Sequence, residues 1–189
     1  MSEETNLLEL TIFDTETTGL DPLTGDRVVE LAALRIKGDQ KVASFNMLIN
    51  PGRPISAGAF AVNKITPEML KDAPTISAVM PKFLEFIAGS GLCSYNAGFD
   101  LGFLNNELKL IGLPALSNVL ILDVLTMARR LLPTLSRYPL WLVAQTLGIK
   151  TVQEHRAFSD VEMTWEVLNR LSVICQEKNI ALASFYYRI

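Results

Sequence analysis

An α/β fold, a mixed sheet with helices packed on its faces, follows from three features of the chain. Three runs that alternate or stay apolar and are rich in β-branched residues come first, at 7–14, 27–37 and 41–49. Beyond Pro51 the pattern changes, and short apolar strands alternate with helical periodicities. Hydrophobic residues make up 49% of the 189, enough for a full core in one domain spanning 1–189. Strands followed by strand–helix alternation imply a sheet with both antiparallel and parallel neighbours.

The elements follow in order. Gly38-Asp39 is a hairpin turn signal between the second and third strands. The loop from Gly19 to Asp26 is also rich in turn residues, so the first three strands read as an antiparallel meander. Ser56 to Val62 reads as a short helix, and Thr66-Pro67-Glu68 as an N-cap with proline at the first helical position. Thr75 can cap a helix through Ile87, with Val79, Phe83, Phe86 and Ile87 on one face. Residues 91–95 form a strand, and 99–111 a helix closed by Gly112. Val119 to Leu122 is a fifth strand, followed by helices over Asp123 to Leu132 and Pro139 to Leu147. The last long helix runs from about Arg156 to Gln176. The terminal Phe185, Tyr186 and Tyr187 are expected to fold back on the core, with a partner surface as the alternative.

Composition narrows the function classes. A net charge of −3 argues against a broad basic face that coats long duplex. It is compatible with a site where bound cations supply the positive charge beside acidic residues. No apolar run has the length of a bilayer span, so no membrane partner is expected. The polar, acidic start from Met1 to Asn6 lacks the layout of a secretory signal, which gives a cytoplasmic expectation. Cys93 and Cys175 lack metal-ligand spacing and read as buried small hydrophobes.

Chemistry concentrates in three segments. In Ile12-Phe13-Asp14-Thr15-Glu16-Thr17-Thr18-Gly19-Leu20 two acids end an apolar strand. Alternate strand residues share a face, so Asp14 and Glu16 point the same way and repel unless a cation joins them. A divalent metal with oxygen ligands is the usual solution. A bare D-x-E arises by chance about once in 300 residues, so alone it also fits a pair of exposed acids. Asp100 follows Tyr95-Asn96-Ala97-Gly98-Phe99 and opens a helix, where the helix dipole alone would favour an acid. Asp160 lies in the first turn of the last helix, and His155, the only histidine, precedes it.

Taken together, Asp14, Glu16, Asp100 and Asp160, with His155 five residues before the last, match a DEDDh signature in order and spacing. On these residues the chain resembles the DnaQ-like 3′→5′ exonucleases, a family that includes the proofreading epsilon subunit of bacterial DNA polymerase III. The resemblance runs from about residue 8 to 172. It includes Asn50-Pro51-Gly52, Ile65 to Leu70 and Leu147-Gly148-Ile149. It implies a ribonuclease H-like fold with five strands in the order 3-2-1-4-5.

The resemblance also implies the chemistry. Two divalent ions, Mg²⁺ with Mn²⁺ as a substitute, would be held by Asp14, Glu16, Asp100 and Asp160. Asp14 would bridge both, and His155 would be the general base in hydrolysis of terminal phosphodiester bonds to 5′-mononucleotides. Thr17, Thr18, Leu20, Asn96 and Phe99 would contact the terminal nucleotide of a single-stranded 3′ end. For Leu20 and Phe99 the plain alternative is core packing. Tyr95 and Asn63 stand where many relatives carry histidine. DNA is the expected substrate, in proofreading or repair and with a DNA polymerase as a partner. The alternatives are an exoribonuclease trimming RNA ends or short oligonucleotides, and a non-catalytic module that binds strand ends.

Overall fold

Residues 9–150 and 156–189 are described in the computed structural model of the chain. The strands are β1 (Leu10–Thr17), β2 (Val28–Lys37), β3 (Gln40–Leu48), β4 (Gly91–Ser94), β5 (Leu120–Asp123) and β6 (Tyr186–Arg188). The helices are α1 (Ala57–Asn63), α2 (Pro67–Leu70), α3 (Ile76–Ile87), α4 (Ala97–Leu110), α5 (Val124–Leu131), α6 (Leu140–Thr146) and α7 (Ala157–Glu177). They build one sheet of order β3-β2-β1-β4-β5-β6. The first three strands are antiparallel, β1, β4 and β5 run parallel, and β6 returns antiparallel. Among the described residues no helix is long and apolar enough to cross a membrane.

Strand alternation divides the apolar residues between the two faces. Ile12, Leu34 and Leu122 join α5, α6 and α7 in one layer. Phe13, Leu31, Ala33, Leu92 and Ile121 join α3 and α4 in the other. Both cysteines are buried and free, as their isolated positions suggested.

The local signals correspond to observed caps, with informative exceptions. Ser56 caps α1 and Thr66 caps α2 through their side-chain oxygens. Thr75 occupies the N-cap position of α3, but its hydroxyl pairs with Ser77 at 2.9 Å and leaves the helix N–H groups alone. α4 starts at Ala97, earlier than the expected 99, because the Asp123 carboxylate accepts the Ala97 N–H at 3.0 Å. That acceptor arrives from another strand and leaves no local trace.

The sheet has six strands where five were expected. Tyr186 and Tyr187 pair with Leu122 and Ile121, and Phe185 is buried. The terminal segment does fold back, but as a strand on the β5 edge, a feature that three residues cannot signal by periodicity.

A buried ion pair ties α4 to the start of β2. Glu107, 1% exposed, accepts from Arg27 Nε at 2.9 Å, Arg27 Nη2 at 2.7 Å and the Val28 N–H at 2.9 Å. Removing one partner of such a pair strands the other charge in the interior. We predict that Arg27→Ala destabilises the protein by about 3 kcal/mol in urea unfolding, more than Glu107→Gln. Equal, small effects would show that the pair does not hold the helix.

Candidate active site

The parallel pairing of β1 with β4 stops early. Leu10, Thr11 and Ile12 face Gly91, Leu92 and Cys93, while β1 runs on to Thr17 against β2 alone. This is the point where the chain connections leave in opposite directions, the usual place for a ligand crevice in such sheets. Asp14 and Glu16 lie just beyond the last paired residue.

Residues from both faces meet at this gap. Asp14 and Glu16 share the face covered by α7, whose first turn carries Asp160. Ligand oxygens of Asp14, Glu16 and Asp160 all lie within 4.8 Å of one another. Asp100 reaches the same gap from α4. Its carboxylate takes the place of the missing strand partner, accepting the Thr15 N–H at 3.0 Å, the Thr15 hydroxyl at 2.7 Å and the Ser94 hydroxyl at 2.5 Å. Thr15 and Ser94 were not singled out from sequence. Thr15 is signalled only by its place between Asp14 and Glu16, and Ser94 ends an apolar strand with no acid beside it.

Glu30 was also missed, although it interrupts the apolar run of β2. It sits opposite Glu16 and is 1% exposed. It accepts from Arg156 Nε at 3.0 Å, Arg156 Nη2 at 2.7 Å and the Ala157 N–H at 3.2 Å. The pair pins the start of α7 to the sheet and sets where Asp160 lies. His155, the expected general base, lies outside the described residues. The chain bond places it next to Arg156.

Crowding shapes the electrostatics. Burial raises the Asp14 pKa well above the ordinary carboxylate range, and the charges of Asp100, Asp160, Glu16 and Glu30 raise it further. Glu16 is pushed up to about 8 by burial and by Asp160 and Glu30, with the Asn63 amide pulling it down. Burial raises Asp100 to about 6 against the lowering hydrogen bonds of Ser94 and Thr15. A set of converging, mutually repelling carboxylates fits a divalent cation with oxygen ligands.

A cavity of about 660 Å³ opens beside the acids, lined by Thr15, Glu16, Thr17, Leu20, Asn63 and Phe99 among others. Leu20 is 84% exposed, so core packing does not explain it. Phe99 is half-buried, with its ring 4.9 Å from that of Phe103. Thr17 is buried and donates its hydroxyl to the Gly19 carbonyl at 2.5 Å. Asn63 donates to the Thr17 carbonyl at 3.2 Å and accepts the Ile65 N–H at 3.1 Å. Thr18 and Asn96 are not among the residues lining the cavity. Thr18 is buried and bonds to Asp26 at 3.0 Å, and Asn96 is the exposed N-cap of α4. Gly19 is required here, because a Cβ at this position would overlap the Asp26 carboxylate. The loop that presents Leu20 therefore closes tightly.

The chain also resembles known proteins. Residues 11–168 match the RNase_T family model, described as an exonuclease. The chain is 37% identical over 176 residues to a DNA polymerase III PolC-type protein of Caldanaerobacter subterraneus subsp. tengcongensis, covering 93% of this chain and 12% of that protein. It is 41% identical over 178 residues to a DNA polymerase III subunit epsilon-like protein of Rhodobacter capsulatus, covering 89% of this chain and 24% of the relative. The chain thus spans only a small part of these curated relatives. Among solved structures, Exonuclease X in complex with 5′ overhanging duplex DNA matches with a TM-score of 0.71 and 26% identity, covering 93% of this chain and 96% of that one.

The raised pKa values make stability depend on pH. Glu16 moves from 4.5 to about 8 on folding, so between these values the folded chain holds a proton that the unfolded chain releases. Stability then falls as pH rises through this window. The melting temperature of chelated protein should drop between pH 5 and pH 8, and Glu16→Gln should flatten the drop. Added Mg²⁺ should raise melting more at pH 8 than at pH 5. A flat profile in chelator would show that the acids do not repel one another in the folded state.

Proposed function

The chain belongs to the RNase_T exonuclease family, and from that premise we propose that it removes nucleotides one at a time from the 3′ end of a DNA strand, in proofreading or repair. The observation that carries this reading is the convergence of Asp14, Glu16 and Asp160 within 4.8 Å, beside an open cavity of nucleotide size. Asp14, Glu16, Asp160 and Asp100 would hold two Mg²⁺ ions, with Asp14 shared. When bound, such ions activate a water and neutralise the leaving oxygen.

The chain's own groups do the rest. Leu20 and Phe99 contact the base or sugar of the terminal nucleotide, the backbone around Thr17 and Thr18 meets it, and Asn96 positions the site from the start of α4. The imidazole of His155 accepts the proton of the attacking water. The water oxygen bonds to phosphorus, the bond to the 3′ oxygen of the preceding nucleotide breaks, and a 5′-mononucleotide leaves. Apolar contacts to the last base are tolerant of its identity, so little sequence preference is expected. The PolC-type and epsilon-like relatives support a polymerase as the working partner.

The test uses DNA and RNA strands labelled at either end. With Mg²⁺, a 3′ label should appear at once as mononucleotide, a 5′ label should appear on a shortening ladder, and chelator should stop both. Cutting of a circular single strand would overturn the reading, and faster loss of RNA would move the substrate to RNA. Asp14→Ala should abolish activity and weaken metal binding. His155→Ala should lower the rate by roughly a hundredfold or more with an unchanged metal titration, as expected for loss of a general base. Loss of metal in His155→Ala would reassign that residue as a ligand.

A further inference from the structure

Charge is unevenly distributed along this acidic chain. Residues 124–153 contain no aspartate or glutamate, yet they include Arg129, Arg130 and Arg137. Most other arginines are engaged: Arg27, Arg35, Arg53 and Arg156 in ion pairs, and Arg188 on Asn118. Arg130 lies over the Phe185 ring and bonds to Ser184. Arg129 and Arg137 are exposed and make no ion pair among the described residues. The Arg137 guanidinium stands 5.6 Å from the ring centre of Trp141, which is 40% exposed in the first turn of α6.

This surface adjoins the active site through Tyr95. Tyr95 follows β4 directly and stands one residue before the N-cap of α4. Its carbonyl accepts the Leu125 N–H at 2.8 Å, and its hydroxyl donates to the Tyr138 carbonyl at 2.5 Å. Arg129 follows Leu125 by one helical turn on the same stripe of α5. Its charge is felt at the Tyr95 phenol. Arg137 precedes Tyr138. The two arginines therefore flank Tyr95, five residues from Asp100.

We propose that Arg129, Arg137 and Trp141 form a track for the single strand upstream of its terminal nucleotide. The two guanidinium groups hold phosphates, and the indole stacks one base. This rests on the exonuclease reading above. Unpaired arginines beside an exposed aromatic ring suit a polynucleotide, because every base offers a face to stack and every linkage a charge to bind. Residues 124–153 carry no acid to repel a strand, and their exposed arginines provide attraction near the carboxylates.

The experiment measures binding of a fluorescent ten-nucleotide thymidylate in Mg²⁺, its last linkage a methylphosphonate that resists hydrolysis. Wild type, Arg129→Ala/Arg137→Ala and Trp141→Ala are compared across a salt series, alongside a dinucleotide too short to reach the track. The double variant should weaken ten-nucleotide binding, with the salt slope reduced by about 0.7 for each arginine lost. Trp141→Ala should weaken it roughly tenfold, and Trp141→Phe should restore most of it. Dinucleotide affinity should hold.

Unchanged ten-nucleotide affinity in the variants, or no binding by wild type, would overturn the track. So would equal weakening for both lengths. Because binding is read on a strand that is not cut, failure of the exonuclease reading shows separately, as intact ordinary strands in the presence of wild type. All three side chains are exposed, and unchanged melting temperatures confirm that the variants fold.

Discussion

Mutual repulsion among buried and half-buried carboxylates is the constraint around which this structure is organised. Asp14, Glu16 and Asp160 crowd within 4.8 Å, and Asp100 acts on Asp14 from the other face of the sheet. Left to themselves, such groups would push α7 and α4 away from β1. Two ion pairs oppose this. Glu30 with Arg156 holds the start of α7, and Glu107 with Arg27 holds α4 to the start of β2. Both pairs are bidentate, and each buried glutamate also takes a backbone N–H, so their geometry is fixed in direction as well as distance.

The early end of the β1–β4 pairing turns this constraint into a site. Where the ladder stops, the Thr15 N–H needs an acceptor, and Asp100 supplies it. One carboxylate thus completes the sheet's hydrogen bonding and also faces the acids on β1. The cavity beside them is lined largely by apolar and small residues, including Leu20, Ala59, Val62 and Phe99. The acids thus gather charge at one side of a space walled in part by apolar side chains.

Much of this was legible in the residues themselves. The alternation of β1 put Asp14 and Glu16 on one face, and the cap at Thr66 is where the sequence placed it. Asp100 and Asp160 each read singly as helix-dipole residues, and only their order along the chain suggested otherwise. Glu30 was illegible as a partner because Arg156 lies 126 residues away, and no local rule connects a strand acid to a distant arginine. The sixth strand stayed hidden for a related reason, since three residues acquire strand character only when β5 is beside them. Apart from Thr75, whose hydroxyl turns to nearby Ser77, these misses are contacts between segments far apart in the chain.

The two rims of the sheet are finished differently, and this bears on how the molecule behaves in concentrated solution. On one side the rim is β6, a short run of three residues with little backbone to offer a neighbour. On the other it is β3, nine residues long and mostly exposed. An unpaired edge of that length is a template for strand addition by another copy. Two features blunt it: the ladder slips register between Arg35 and Ile36, and the Lys41 ammonium sits 4.6 Å from the Trp165 ring centre while paired with Glu162. Self-association driven by backbone pairing would therefore begin along β3. Replacing Lys41 with an apolar residue would remove a charge that guards this edge, far from the acidic crevice.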